Sequence, residues 1–308
     1  GVGMAGDASF ASVSLLLHCD GTNGSTTVTD SSPTPKTVTC YGGAALSTTS
    51  PKIGSASLSF TSSSSSYATV SHASDFNFGA GNFTIEFWYY PISQSTYSGI
   101  LVGDEPDYPL CFFHGPGNNS GNPMVAIGPN GSSWFSNASG LSFGAVTANT
   151  WVHLALVRDG DTFRTFKDGV QVSTGSTDSA GQSVGSISTF TLGRNSASFY
   201  LSAKIDELRI TKGVARYTSN FTPPASAFLD YAGQVSGNVK DSAGSNAART
   251  VRAYRRDTGA LVGSTTSNGT TGNYTINCAT LDEVTVIAFD NATSGTYYND
   301  QAARVIPA

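Results

Sequence analysis

Between Trp151 and Thr174 the chain alternates apolar and polar residues with period two and reverses direction twice at Asp-Gly dipeptides. Trp151-Val152-His153-Leu154-Ala155-Leu156-Val157-Arg158 reads as a strand, Asp159-Gly160 as a turn, Thr162 to Lys167 as the returning strand, Asp168-Gly169 as a second turn and Val170 to Ser173 as a third strand. A period of two puts successive side chains on opposite faces of a sheet. Asp-Gly supplies the positive φ that a two-residue hairpin requires. The segment is therefore a β-meander, and helical periodicity is nearly absent along the whole chain.

The same rhythm recurs on both sides. Val13 to Cys19, Ser57 to Phe60 and Tyr67 to Val70 precede Phe83 to Tyr90, in which Phe83, Ile85, Phe87 and Tyr89 share one face and Pro91 ends the run. Gly99 to Gly103, Leu110 to His114, Met124 to Ile127, Ser133 to Ser136, Thr189 to Leu192 and Leu201 to Ile210 are further strands. Charged residues make up only 12% of the chain, too few to cover helix surfaces, while aromatics at 11% suffice to fill a sandwich core. A length of 308 residues suits two cores better than one. Thr222-Pro223-Pro224-Ala225 breaks the pattern, and a second rhythm starts at Gly233: Val235 to Val239, Arg249 to Arg255, Tyr274 to Cys278, Val284 to Phe289 and Arg304 to Ile306. The expectation is an all-β chain with a large domain over 11–229 and a small one over 233–308.

Several classes of partner drop out. Net charge is −5, and the basic residues are scattered apart from Arg252, Arg255 and Arg256, so no concentrated face for nucleic acid exists. No apolar run approaches the ~20 residues of a membrane span, and Leu15 to Leu17 is too short for a leader core. Gly1-Val2-Gly3-Met4-Ala5-Gly6 spells GxGxxG, but no strand precedes it and no helix follows, so it fails as a dinucleotide site; Met4 reads as a natural start. Cys19, Cys40, Cys111 and Cys278 lack CxxC spacing, which argues against structural zinc. Cys19 and Cys40 pair if their strands are neighbours, or all four are buried thiols acting as small hydrophobes.

Five segments in order resemble the signatures of the concanavalin A-like, laminin G-like jelly-roll family: Leu15 to Gly21, Phe83 to Trp88, Trp151 to Arg158, Lys167-Asp168-Gly169 and Lys204 to Ile210. The resemblance covers residues 11–229 and implies a jelly-roll sandwich. Thr211 to Tyr217 together with Phe221 to Pro224 is similar to a closing motif of bacteriophage virion members. Thr250 to Gly263 resembles small immunoglobulin-like or carboxypeptidase-regulatory-like modules, implying a small Ig-like β-sandwich at the C-terminus. The combination implies a virion-surface tail, fibre or decoration protein that binds a host-surface glycan and contacts other virion proteins, with a homo-oligomer left open. The alternatives are a carbohydrate-binding module of a secreted bacterial enzyme or adhesin, and a divergent glycosidase.

Catalysis finds little support in the residues. Retaining glycosidases need two carboxyl groups about 5–5.5 Å apart. Asp206 and Glu207 are adjacent, so on a regular strand they face opposite ways, and the positions that an E-x-D-x-x-E motif would give to acids hold Lys204 and Arg209. Glu86 stands alone, and His18 and His153 fall in strands without a nucleophile elbow. Binding is the better expectation. Sugar sites combine an aromatic platform with amide and carboxylate groups, and the insert from Tyr97 to Asn137 offers Tyr97, Asp104, Asp107, Tyr108, Asn118 and Trp134. Aromatics there serve equally as core, and Asn and Gly as turn residues. Asp20, just before Gly21, and Asp206 have two readings: ligands of one structural Ca2+, which prefers carboxylate and carbonyl oxygens, or a turn cap and a hydrogen-bonded strand residue.

Overall fold

The computed structural model describes residues 6–93, 95, 97–104, 108–115, 121–130, 133–195, 199–241, 243–289 and 303–307, and nearly all of its regular structure is antiparallel β. The chain divides into two compact units. One is Ser12–Phe228; the other comprises Leu229 onward together with the short segment that ends at Ala11.

The strands of the large unit, in chain order, are β1 (Val13–Leu17), β2 (Val38–Tyr41), β3 (Ala45–Ser47), β4 (Ser57–Phe60), β5 (Tyr67–Ser71), β6 (Phe83–Pro91), β7 (Gly99–Gly103), β8 (Leu110–His114), β9 (Pro123–Ile127), β10 (Leu141–Ser142), β11 (Val152–Asp159), β12 (Thr162–Lys167), β13 (Val170–Ser176), β14 (Thr189–Leu192), β15 (Arg194–Asn195), β16 (Phe199–Tyr200) and β17 (Ala203–Lys212). An eight-stranded sheet runs β13-β12-β11-β6-β17-β4-β3, with β1 also paired to β17. A seven-stranded sheet runs β10-β9-β8-β7-β14-β5-β2. The non-sequential order in both is that of a jelly roll, which blunts exposed edges by wrapping two sheets around one core.

Alternation decides which residues fill that core. Ile85, Phe87, Leu154 and Leu208 point inward from the eight-stranded sheet, and Phe112, Val125 and Phe190 from the seven-stranded one; all are essentially buried in one cluster. Phe87 and Phe112 meet edge to face across the sheets at 5.7 Å. Removal of such a side chain to alanine costs about 3–5 kcal/mol. The segment after β17 covers the outer face of the eight-stranded sheet: Tyr217 stacks on Phe221 at 3.5 Å, and both pack on Ala155, Val157 and Phe166.

Local details depart from a regular reading of the sequence. The first meander turn is Gly160-Asp161, one residue later than the Asp-Gly pair suggests, because Asp159 still pairs with Thr162. The second is Asp168-Gly169, with φ of +49° and +77°, as a type I′ turn demands. The first strand stops at Leu17 rather than Cys19, since Cys19 takes a φ of +60°; His18 therefore lies beyond the strand. Ser133 to Ser136 forms no strand, only an isolated bridge from Asn130 to Ser133. None of the four cysteines is disulfide-bonded, so Cys19 and Cys40 do not pair; burial, then the charge of Asp206, raises the Cys19 thiol well above its ordinary value.

The second unit has β18 (Gly233–Asn238) paired with β21 (Asn273–Cys278), and a sheet in the order β20 (Leu261–Thr266), β19 (Thr250–Arg255), β22 (Val284–Phe289), β23 (Ala303–Val305). Val235 and Ile276 from the first pair meet Val251 and Val286 from the second in a common core. Asp7 joins this unit by donating its backbone N–H to the Tyr231 carbonyl at 2.9 Å. Among the described residues no helix is long and apolar enough to cross a membrane.

Candidate functional site

On β8 the residues Leu110 and Phe112 enter the core, so Cys111 and Phe113 must emerge on the outer face of the seven-stranded sheet; Ala126 does the same on β9. These three floor a cleft of about 550 Å³ walled by Tyr97, Tyr108, Trp134 and Phe199, with Ser139 and Asn195 supplying polar groups. Tyr97 and Phe199 are 44% and 43% exposed, unusual for large apolar rings, and their centroids lie 5.8 Å apart. The cleft is of the size and character of small-ligand sites, mostly apolar with a few convergent polar groups.

Its rim is held in sparsely populated backbone conformations. Tyr97 and Tyr108 have φ of +64° and +39°. Such residues persist only where their surroundings fix them. Tyr97 is fixed by its N–H, which donates to the His114 carbonyl at 2.8 Å, and by Asn195 Nδ2, which donates to the Tyr97 carbonyl at 3.1 Å. Beneath it, the buried His114 imidazole lies 2.7 Å from the Tyr89 hydroxyl through Nε2 and 3.0 Å from Ser98 Oγ through Nδ1. Burial pushes His114 down to about 4, so the ring is neutral near pH 7.

Of the sugar-site residues expected from the sequence, Tyr97, Tyr108 and Trp134 converge in this cleft. Asp104 does not line it: its carboxylate accepts from Ser188 N–H, Ser188 Oγ and Thr189 N–H, which caps the loop after β7. Asp107 and Asn118 lie outside the described residues. Phe199, Asn195 and Phe113 were not foreseen; the aromatic pair Phe199-Tyr200 in an otherwise polar stretch is the signal that could have found the first.

Asp20, past the end of β1, and Asp206, within β17, reach the same loop. Asp20 Oδ1 accepts from the Ser55 N–H, from Ser55 Oγ at 2.9 Å and from the Ala56 N–H at 3.3 Å. Asp206 Oδ2 accepts from the Lys52 and Ile53 N–H groups at 2.8 and 3.1 Å, while its Oδ1 is buried with no partner. Burial drives the Asp206 carboxyl up to about 7 against the pull of those N–H groups. A register shift between Asp206 and Arg209 gives Glu207 a φ of +48° and turns its carboxylate to His18 at 2.9 Å and to the Phe228 N–H at 2.9 Å. Among the described residues no group of three His, Cys, Asp or Glu side chains is placed to hold a metal. A cation at Asp206 would therefore depend on loop carbonyls, yet the orphaned Oδ1 is an oxygen that a hard cation would satisfy.

The family model described as the concanavalin A-like lectin/glucanases superfamily (Laminin_G_3) matches residues 62–216. Domain 4 of AbnA, a GH43 extracellular arabinanase from Geobacillus stearothermophilus solved with arabinotriose, is similar at a TM-score of 0.50 and 22% identity, over 67% of this chain and 94% of that domain. The binding domain of Paraclostridial Mosquitocidal Protein 1 gives 0.54 at 13% identity, over 97% and 76% of the two chains. The binding domain of Botulinum neurotoxin DC, solved with rat synaptotagmin II, gives 0.51 at 14% identity, over 96% and 69%. At such identities these likenesses establish the fold alone. No curated protein matches the chain.

Proposed function

Because the chain belongs to the concanavalin A-like lectin/glucanases superfamily, we propose that it is a non-catalytic glycan-binding protein whose sugar docks in the outer-face cleft of the seven-stranded sheet. The observation that carries this reading is the convergence of Tyr97, Tyr108, Trp134 and Phe199 outside the hydrophobic core, beside Asn195 and Ser139. Aromatic faces stack on the apolar side of a sugar ring, and amide and hydroxyl groups bond its rim. The solved likeness to an arabinanase domain bound to arabinotriose is consistent with that chemistry.

The non-catalytic part rests on the acids. Among the described residues no carboxylate lines the cleft. Glu86 is sealed in a buried ion pair, and Asp206 and Glu207 diverge to different backbone partners, so these three carboxyl groups supply no pair placed to flank a glycosidic bond. We further propose one structural calcium, held by Asp206 and Asp20, which would stabilise the ionised form of Asp206. As setting we propose a virion surface, on the likeness of the Thr211–Pro224 segment to a phage closing motif. A module of a secreted enzyme is the second reading, favoured by the arabinanase domain. Antibody-labelled electron microscopy of virions against analysis of culture supernatant separates the two settings.

The binding reading is tested on a glycan array probed with the wild type, Trp134→Ala and Phe199→Ala, with calcium and with EDTA. Loss of a central aromatic anchor costs ~2 kcal/mol or more, so signals should fall at least about tenfold without a change in melting temperature. Binding that survives both substitutions moves the site elsewhere, and hydrolysis of any bound polysaccharide overturns the non-catalytic reading.

A further inference from the structure

The outer face of the seven-stranded sheet carries a second aromatic feature on the far side of the β15–β16 hairpin. Tyr41 and Tyr67 are directly opposite each other on β2 and β5, and their rings stack at 4.6 Å and 12°. The Arg194 guanidinium lies 3.9 Å over the Tyr67 ring, and the Tyr200 ring packs at 6.4 Å from it. Tyr41, at the outer end of the stack, is 42% exposed. Two residues back along β2 and two residues on along β5, Thr39 and Thr69 point to the same side. With Ser71 they line a hollow of about 390 Å³ next to the stack. Lys36 and His72 also line it, but both face Asp75: the ammonium lies 2.8 Å from its carboxylate and 2.6 Å from the Thr34 carbonyl, and His72 Nδ1 lies 3.3 Å from that carboxylate.

The hairpin between the two features sits directly on β7, the central strand of the sheet: a Cβ on Gly99 would fall 2.4 Å from the Arg194 carbonyl oxygen. Phe199 faces the cleft over β8 and β9, and its neighbour Tyr200 reaches the stack over β5. One short ribbon thus supplies an aromatic ring to each side. A cross-strand tyrosine pair stabilises a sheet by itself. It does not require that hydroxyls flank it in a hollow, or that the adjacent hairpin carry a third ring toward it. Hydroxyls donate and accept at once, as sugar hydroxyls do, and the one ammonium in the hollow is already neutralised.

We infer that the Tyr41–Tyr67 stack and the Thr39, Thr69 and Ser71 hydroxyls form a second sugar subsite, and that the ligand is a neutral linear oligosaccharide long enough to cross the β15–β16 hairpin and occupy the cleft as well. This rests on the cleft being a glycan site. Occupation of two linked subsites raises affinity through effective concentration, so binding increases with chain length.

The probe is an array of arabino-, xylo-, gluco-, manno- and galacto-oligosaccharides, each from monosaccharide to octasaccharide, with sialylated glycans as charged comparators. The wild type should bind long members of one neutral series about tenfold or more tighter than short ones. Tyr41→Ala should bind the short members like the wild type and lose the gain with length, whereas Trp134→Ala should lose both. Should Tyr41→Ala weaken the sheet, Thr69→Val keeps strand propensity and volume and removes only the hydroxyl. Tyr41→Ala and Thr69→Val that both track the wild type at every length overturn the second subsite and leave the cleft standing. Binding of charged glycans alone overturns the neutral ligand. A wild type that binds nothing on the array overturns the cleft reading and this one with it.

Discussion

Arg209 and Glu86 face each other as direct cross-strand partners on β17 and β6, with the guanidinium 2.7 Å from the carboxylate and both side chains buried. The rest of the shell is complete: Tyr217 donates its hydroxyl to Glu86 at 2.9 Å, His153 Nε2 lies 3.4 Å from it, and Phe228 places its ring 3.8 Å under the guanidinium. A buried pair adds little over an apolar pair of equal size, but breaking it strands a charge. The relationship therefore explains how the covering segment 213–228 is tied to the sheet.

Arg209→Met should cost about 3–5 kcal/mol, and Glu86→Gln in the same chain should recover part of it, because the stranded carboxylate is gone. Burial alone would raise Glu86; Arg209 and His153 outweigh it and hold the carboxyl at about 2, below its ordinary 4.5. A depressed folded value contributes stability that is complete above the unfolded value and is lost as pH falls from about 4.5 through about 2. Melting curves of wild type and double variant across that window should converge at its acid end. Parallel curves would count against the pair.

Asp206 behaves in the opposite sense. Its folded value of about 7 lies above the ordinary 3.8, so between those values the folded chain holds a proton that the unfolded chain has lost. Stability therefore falls as pH rises across the window and is flat above it. Asp206→Asn removes the slope and should melt higher than the wild type at pH 8 in EDTA. Calcium favours the ionised form, so millimolar calcium should raise the wild-type Tm at pH 8 by mass action and leave Asp206→Asn unmoved. Equal melting of the wild type in calcium and EDTA would rule out the cation there.

Binding in the cleft should depend on pH through His114. Burial holds its folded value at about 4, below the ordinary 6.5, so the neutral ring contributes stability above 6.5 that is lost as pH falls toward 4. The ring bonds Ser98 Oγ, and the backbone carbonyl of the same residue accepts from the Tyr97 N–H. The folded ring takes up its proton only as pH approaches about 4, so glycan binding should weaken there, and His114→Gln should flatten the profile. Titration of array signal and of near-ultraviolet circular dichroism over the same range checks both.

The fold was legible because strand alternation and the Asp-Gly turns are local signals, and the inward residues of β6 and β11 follow from period two alone. The cleft was half legible. Tyr97, Tyr108 and Trp134 stand in one insert, whereas Phe199 and Asn195 arrive from β15 and β16, and only sheet order brings them over β7. Asp104 looked like a ligand because a loop carboxylate near aromatics suits a sugar; its three donors come from Ser188 and Thr189, far along the chain. The bulge at Glu207 was hidden for a similar reason: nothing within Lys204 to Ile210 announces a left-handed residue. The tyrosine stack needs the β2–β5 pairing, which is concealed because β3 and β4, strands of the other sheet, intervene in the chain.

The large unit should fold alone as residues 12–228, and its C-terminal limit is set by Phe228. That residue donates its backbone N–H to the buried Glu207 carboxylate and seats its ring beneath Arg209. A chain ending at Pro224 keeps Tyr217 and Phe221 on the sheet but removes both contacts. Glu207, 1% exposed, then loses a donor while His18 remains, and Arg209 loses its apolar cover. A lost hydrogen bond to a buried carboxylate and a lost cation–π contact each cost on the order of 1–2 kcal/mol. The shorter chain should therefore melt several degrees below 12–228, by ~2 °C or more per kcal/mol for a unit of this size. Limited proteolysis of the full chain should accordingly stop beyond Phe228 and not within the Pro-Pro segment. If 12–224 and 12–228 melt together, Phe228 is a passive end of the chain, and the covering segment is held by Tyr217 and Phe221 alone.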